Sequence, residues 1–201
     1  MFISDKYKLV FLEVPRTGSR SITDALTNLD PGSPTAQVRK QQRALVDYHN
    51  CQIPDHVDDT YIVVAAHRNP YERLWSHWKF RHQWGNPGIF KSTEWSRYVK
   101  WACDPKSAPE ITNALPEMPI VEMLDCDRVT HWLNYEQLEA SWRQLAGETG
   151  LPLSELVWIN RSHSMGEYWK AYDRELASMV AGRYADDFTR FNYDLASWRE
   201  S

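Results

Sequence analysis

The sequence predicts a three-layer α/β domain in which helices flank a central parallel sheet. Two apolar runs of strand length, at residues 9–14 and 60–66, and a further predicted strand at residues 128–133 are each followed by a polar segment and then by a helical pattern. Strands that alternate with helices indicate parallel pairing, because a parallel connection has to cross over the sheet. The 201 residues contain no linker rich in Pro, Gly or Ser, so the sequence predicts one domain over residues 1–201.

The first apolar run leads into a short polar loop that opens a helix. The run ends at Pro15, which cannot continue a β-ladder, and a helical pattern follows from Ile22. Small residues that enter a helix direct free N–H groups and the positive end of the helix dipole at one point, where an anion is favoured. We therefore expect phosphate or sulfate there, with the candidate ligands Arg16, Thr17, Gly18, Ser19, Arg20 and Ser21. The alternative is a capped surface loop without a ligand.

The pattern of the ATP- and GTP-binding loop does not fit these residues. Its two glycines would fall on Val14 and Ser19 and its lysine on Arg20, so only Ser21 agrees with the pattern. An ATP-dependent small-molecule kinase is therefore only an alternative function.

A histidine follows the next predicted strand. Residues 44–48 form a short run that ends at His49. In an open parallel sheet the ligand crevice lies beyond the carboxyl ends of the strands, so we expect His49 at the same edge as the anion loop. Its ordinary pKa of about 6.5 suits a general base near neutral pH. The alternative is a loop histidine that only makes a hydrogen bond.

Another polar segment follows the apolar, β-branched run at residues 60–66. Pro70 suits the first turn of a helix, so Arg68 is predicted at the end of a strand and Ser76 about two turns into the helix. Arg73 is predicted to lie on the helix surface or to pair within the helix.

The remaining chain contains further candidate elements. Five tryptophans between residues 75 and 101 either pack in the core or form a wall for a sugar or an aromatic acceptor. Residues 107–119 are predicted to be a loop. Residues 128–133 are predicted to form a strand, which an amphipathic helix follows to about residue 148.

Two of these segments resemble signatures of the sulfotransferases that use 3′-phosphoadenosine 5′-phosphosulfate (PAPS). The segment Pro15-Arg16-Thr17-Gly18-Ser19-Arg20-Ser21 is similar to the loop that binds the 5′-phosphosulfate. The segment from Arg68 to Ser76 resembles the 3′-phosphate signature R-N-P-x-x-R-x-x-S in every defining position. The resemblance is to the carbohydrate or Golgi-type enzymes, with similarity to the cytosolic enzymes in the second motif. It continues in the expected order through residues 135–138, 160–162 and 184–193.

The resemblance implies a P-loop-like fold and transfer of a sulfuryl group from PAPS to an acceptor hydroxyl, which leaves 3′-phosphoadenosine 5′-phosphate (PAP) and needs no metal. It implies two catalytic residues, His49 as general base and Arg16, which is also a ligand of the 5′-phosphosulfate. It also implies that Arg68, Ser76 and Arg161 bind the 3′-phosphate, although Arg161 has the alternative of an ordinary loop arginine. The family usually has lysine at the place of Arg16, whose guanidinium is a planar fork rather than a point charge. A non-catalytic PAP-binding or interaction protein is therefore a further alternative.

The composition of the chain limits which partners and which cellular compartment we expect. A net charge of −4 without a long Lys/Arg run argues against non-specific nucleic-acid binding. Three widely spaced cysteines without a C-x-x-C pair fit a reducing compartment. No apolar segment has the length of a membrane span, so we expect a cytoplasmic protein without a membrane partner; a lumenal domain trimmed of its anchor would share these features. The expected partner is a small-molecule or glycan acceptor, and the oligomeric state is left open.

Overall fold

The computed structural model describes residues 1–41, 52–84, 88–111, 117–159 and 167–199. The chain divides into two compact units. We call Met1–Arg68 together with Met123–Arg161 the sheet unit, and Asn69–Glu122 together with Ser162–Ser201 the helical unit. The single domain over residues 1–201 stays a prediction.

The described residues of the sheet unit contain a four-stranded sheet. Side by side, its strands are β1 (Phe2–Ser4), β2 (Leu9–Leu12), β3 (Ile62–His67) and β4 (His131–Asn134). β1 pairs antiparallel with β2, whereas β2 with β3 and β3 with β4 are parallel. A mostly parallel sheet with flanking helices confirms the predicted α/β fold class.

Helices follow β2, β3 and β4 along the chain. In chain order they are α1 (Ser19–Leu29), α2 (Pro34–Gln41), α3 (Pro70–Trp84), α4 (Trp95–Cys103), α5 (Ile120–Met123), α6 (Leu138–Thr149), α7 (Arg174–Arg183) and α8 (Ala185–Arg190). Short 3₁₀ turns cover Gly88–Lys91, Pro105–Ser107, Cys126–Arg128, Tyr135–Gln137 and Tyr168–Ala171.

The central strands are apolar because both of their faces are covered. All of β2 is buried, and β3 buries its four middle residues. α1 adds an apolar face formed by Ile22, Ala25 and Leu26, which recur at helical spacing and are buried. Parallel pairing brings the carboxyl ends of β2, β3 and β4 to one edge of the sheet, and the chain leaves this edge after Leu12, His67 and Asn134.

The core of the helical unit is largely aromatic. Trp101 is 1% exposed and packs against Phe90 and Tyr98 with ring centroids 5.2 and 5.5 Å away. Trp75 and Trp78 are partly buried and stack on each other at 4.8 Å. Of the two interpretations of the tryptophans, core packing is confirmed for Trp101.

A stripe of cationic and imidazole side chains runs along α3. Arg73, His77 and Arg81 are spaced four residues apart and therefore share one face of the helix. The Glu117 carboxylate lies 2.8 Å from His77 Nε2 and accepts a hydrogen bond from Arg81 Nη2 at 2.9 Å. Arg73 is buried and donates to the Met118 carbonyl at 3.0 Å, so its predicted position on the helix surface is wrong.

Asp187 fixes the start of α5 in the same unit. Its carboxylate accepts hydrogen bonds from the N–H groups of Ile120, at 2.8 Å, and Val121, at 3.0 Å. Arg73 Nη1 lies 4.0 Å from the same carboxylate. The buried charge of Asp187 is therefore balanced by two helix-terminal donors and one cation.

The last segment of the helical unit returns to the beginning of α3. Asn69 Nδ2 donates to Ser197 Oγ at 2.8 Å, and the Tyr71 hydroxyl donates to the Leu195 carbonyl at 3.0 Å. The Tyr168 hydroxyl donates to the Ser197 carbonyl at 2.7 Å. Residues 195–197 are thus fixed by three side-chain hydrogen bonds.

The observed strands differ from the sequence analysis in two respects, and one predicted strand lies outside the described residues. β4 begins at His131 rather than at residue 128, because Cys126–Arg128 forms a 3₁₀ turn. β1 is an additional short strand of three residues. The strand predicted at residues 44–48 lies outside the described residues. No helix within the described ranges is both long and apolar enough to cross a bilayer.

Candidate functional site

The loop between β2 and α1 contains two residues in the left-handed backbone conformation. Arg16 has a φ of 68° and Gly18 a φ of 77°. Thr17 between them is buried, and its hydroxyl donates to the Val14 carbonyl at 2.9 Å. The side chain of Thr17 therefore holds the turn together, and its N–H is the group that it can offer to a ligand.

The N–H groups at the start of α1 lack a side-chain cap. Gly18 is the N-cap residue and has no side chain with which to accept a hydrogen bond. Within the described ranges, the N–H groups of Thr17, Gly18, Ser19 and Arg20 donate to no acceptor. The first turn of α1 also contains no acidic residue. An uncapped helix terminus without a nearby carboxylate favours an anion.

Gly18 lies against the segment that follows β4. A Cβ atom at this position would be 2.8 Å from Leu138 Cδ2 and 3.4 Å from two ring atoms of Tyr135. Only glycine therefore combines the left-handed φ with this close approach. The loop is consequently fixed both by its own backbone and by the start of α6.

Arg68 follows β3 and reaches the same loop. Its Nη1 donates to the carbonyl oxygen of Arg16 at 2.8 Å, and its guanidinium carbon lies 4.0 Å from the ring centroid of Tyr135. Although it is charged, Arg68 is only 3% exposed. The sheet unit thus brings the predicted 5′-phosphosulfate loop together with the predicted 3′-phosphate ligand Arg68.

The last two predicted loop ligands differ in exposure. Arg20 is exposed, so its cation is accessible to solvent and to a ligand. Ser21 is buried, and its hydroxyl oxygen accepts a hydrogen bond from the Ile159 N–H at 2.9 Å. Ser21 therefore connects α1 to residues 151–159 besides its predicted function in binding.

The structure explains two residues of the R-N-P signature within the helical unit. The Asn69 side-chain oxygen accepts a hydrogen bond from the Tyr71 N–H at 3.0 Å and so caps α3, and Pro70 is its first residue. Ser76 lies on α3 and is buried. Arg68 ends the sheet unit and Ser76 belongs to the helical unit, and the assignment of both to a 3′-phosphate stays a prediction.

Two predicted site residues, His49 and Arg161, lie outside the described residues. The described residues of the sheet unit contain two other groups that could act as a base, His67 and Glu13. Burial lowers the pKa of His67, the last residue of β3, to about 4, so its imidazole is neutral at pH 7. Glu13 is buried, and its carboxylate lies 2.9 Å from the amine of Met1.

Sequence analysis did not assign a function to Tyr135 or Leu138, which form one wall of the loop. They are the first and last residues of the segment Tyr135-Glu136-Gln137-Leu138, which resembles a family element. That resemblance was the available signal. Their contact with Gly18 joins residues more than a hundred positions apart, and no local pattern encodes such a contact.

No cluster of three or more metal-binding side chains is present in the ranges that the structure describes. Cys103 and Cys126 are free thiols. Burial raises the pKa of the Cys103 thiol to about 12, so this thiol is not a nucleophile at neutral pH.

Comparison with known proteins agrees with the two motifs. Residues 1–194 match the family described as the sulfotransferase family. The curated proteins and the solved structures gave no match. Because the matched region includes nearly all of the 201 residues, and contains the loop between β2 and α1, Arg68 and the described strands, this chain belongs to the sulfotransferase family.

Proposed function

We propose that the chain transfers a sulfuryl group from PAPS to a hydroxyl of a small-molecule or glycan acceptor. Membership in the sulfotransferase family supports sulfuryl transfer in general. The observation that carries the proposal further is the loop after β2, where N–H groups without a side-chain cap lie at a helix terminus and the sequence of the loop contributes Arg16 and Arg20.

The residues of the sheet unit fit a nucleotide with phosphate groups. Four N–H groups at the start of α1 have no acceptor among the described residues, and Arg68 supplies a buried cation beside them. Burial makes such a cation costly unless opposite charge or hydrogen-bond acceptors surround it. A bound anion would add opposite charge to the contacts that Arg68 already makes with the Arg16 carbonyl and the ring of Tyr135. PAPS, when bound, would supply the sulfuryl group and a phosphate as leaving group.

The residues divide into two groups by proposed function. The N–H groups of residues 17–20 and the guanidinium of Arg16 would stabilise the charge that grows on the leaving phosphate. Arg68, Ser76 and Arg161 would bind the 3′-phosphate, which distinguishes PAPS from ATP. The first group would act on the rate of transfer and the second mainly on binding.

His49 is the proposed general base. It would accept the proton of the acceptor hydroxyl as the bond to sulfur forms. Two observations count against the alternative bases. His67 is neutral at pH 7, but a pKa of about 4 makes it a weak base. Glu13 is buried beside the amine of Met1.

The first experiment is calorimetric titration of the chain with PAP, with ATP and ADP as controls and without magnesium. Binding of PAP that exceeds binding of ATP by at least about tenfold is expected, because only PAP carries a 3′-phosphate. Activity is then measured with labelled PAPS and a panel of glycan, aromatic and small-molecule hydroxyl acceptors. Absence of PAP binding would refute the proposal before any acceptor is tested.

His49→Ala tests the base. Turnover should fall by about two to four orders of magnitude while PAP affinity stays nearly unchanged, because proton transfer is lost and nucleotide contacts are kept. The matched control is His56→Ala, since the side chain of His56 is 58% exposed. Normal turnover in His49→Ala would remove the assignment.

Arg16→Lys separates the enzyme from a non-catalytic PAP-binding protein. Lysine restores the point charge that the family usually places here. If the parent chain binds PAP but only the lysine variant transfers sulfate, the non-catalytic alternative holds. Magnesium-dependent ATP hydrolysis by the parent would support a kinase instead.

A further inference from the structure

The carbonyl of Arg16 has a partner that the sequence motifs do not indicate. The 3′-phosphate signature assigns Arg68 to the nucleotide, but Arg68 Nη1 donates to this carbonyl at 2.8 Å. Arg16 follows β2 and Arg68 follows β3, and these strands are adjacent and parallel. The hydrogen bond therefore ties together the loops that leave two neighbouring strands.

This hydrogen bond is made to the residue of the loop whose backbone is strained. Arg16 has a φ of 68°, a region that residues with a Cβ rarely adopt. Such a conformation persists only when surrounding contacts determine it. A hydrogen bond from a buried, charged donor to the carbonyl of the strained residue is a contact of this kind.

Tyr135 holds the donor in place. The guanidinium of Arg68 lies 4.0 Å from the centroid of its ring, and the same ring borders Gly18, where a Cβ would be 3.4 Å from two of its atoms. Arg68, Tyr135 and the turn from Arg16 to Gly18 thus form one packed group. Displacing Arg68 would release both the carbonyl of Arg16 and one wall of the turn.

We propose that Arg68 is a positioning residue for the 5′-phosphosulfate loop: it sets the left-handed turn at Arg16 and thereby the direction of the N–H groups that follow. This inference rests on the proposed function. A guanidinium carries five N–H donors, so binding the Arg16 carbonyl and contacting a phosphate are compatible. Arg68 would then affect ligands that carry no 3′-phosphate at all.

The test compares two ligands that differ only in the 3′-phosphate. Wild type, Arg68→Ala and Arg68→Lys are titrated with PAP and with adenosine 5′-phosphate. The control is Arg143→Ala, which removes an exposed arginine of the same unit. Arg68→Ala should weaken the binding of adenosine 5′-phosphate by about tenfold, because the loop that binds its phosphate is no longer held in place. Arg68→Lys keeps one charged donor and should be intermediate.

A second measurement needs no ligand. The amide resonance of Gly18 in two-dimensional NMR spectra should shift in the ligand-free Arg68 variants and stay in place in Arg143→Ala. Thermal unfolding establishes that each variant is folded, and Arg68→Lys decides the question if Arg68→Ala does not fold.

The outcomes separate the two proposals. One outcome overturns the positioning inference: wild type binds PAP, Arg68→Ala weakens the binding of PAP but not of adenosine 5′-phosphate, and the Gly18 amide resonance does not shift. Arg68 would then serve only the 3′-phosphate. If wild type binds neither nucleotide, the proposed function fails, and this inference fails with it. The positioning function is supported if wild type binds PAP and the Arg68 variants either bind adenosine 5′-phosphate more weakly or show a shifted Gly18 amide resonance.

Discussion

Replacing Gly18 by alanine should destabilise the protein and weaken PAP binding together. The left-handed φ of 77° is unfavourable for any residue with a Cβ, and costs about 1–2 kcal/mol. The new Cβ would be 2.8 Å from Leu138 Cδ2, nearly 1 Å inside the ordinary separation of about 3.5–4.0 Å. Leu138 is buried at the start of α6, so relief of this contact requires repacking that costs about 1–2 kcal/mol more. We expect a total loss of about 2–4 kcal/mol.

Gly150→Ala is the matched control. Gly150 also has a left-handed φ, 68°, but a Cβ there would meet nothing within 4 Å. This variant should therefore lose only the backbone contribution of about 1–2 kcal/mol and bind PAP normally. Denaturant unfolding followed by circular dichroism gives the free energies, and calorimetry gives the affinities. Equal stabilities of the two variants, or normal PAP binding by Gly18→Ala, would refute the packing argument.

Three further predictions concern buried ionisable groups. Burial alone would raise the pKa of Glu117, but neighbouring cations led by His77 hold it at about 2, so the stabilisation by this carboxylate is complete above pH 4.5 and is lost as the pH falls through about 2. Glu117→Gln should therefore cost about 3 kcal/mol in urea unfolding at pH 7 and little at about pH 2. An equal loss at both pH values would contradict this. Partial burial lowers the pKa of His67 from 6.5 to about 4, so the contribution of this residue to stability is full above pH 6.5 and falls as the pH drops toward 4. An NMR titration of its imidazole should have a midpoint near 4, and a midpoint near 6.5 would refute this pKa shift. Asp187→Ala should lower the free energy of unfolding by about 2–4 kcal/mol, because two N–H donors at the start of α5 lose their acceptor. The control Asp186→Ala changes an exposed neighbouring residue and should lower it by less than about 0.5 kcal/mol in the same thermal unfolding experiment.

The sequence predicted those elements whose pattern is local. β2 and β3 were recognised because both faces of each strand are covered, which makes an unbroken apolar run. The start of α3 was recognised because Pro70 has a backbone suited to the first turn. β1 was missed, since three residues are too few for an alternating pattern to be counted.

Within the candidate site, the predictable part was the chemistry of single residues, and the unpredictable part was their mutual contacts. The loop sequence indicated a turn that favours an anion, with Gly18 among its candidate ligands. Neither Tyr135 beside Gly18 nor the hydrogen bond from Arg68 to the Arg16 carbonyl could be predicted, because each joins residues distant in the chain. The same reason explains the error at Arg73, whose acceptor is the carbonyl of Met118 rather than a neighbour on the helix.

The return of residues 195–197 to the start of α3 has a consequence for how the chain can be shortened. A polypeptide cut after Asn192 would lose the acceptors that Asn69, Tyr71 and Tyr168 now use, although it would still contain every proposed catalytic and binding residue. Limited digestion at this tail should therefore loosen the first turn of α3 rather than trim an inert end.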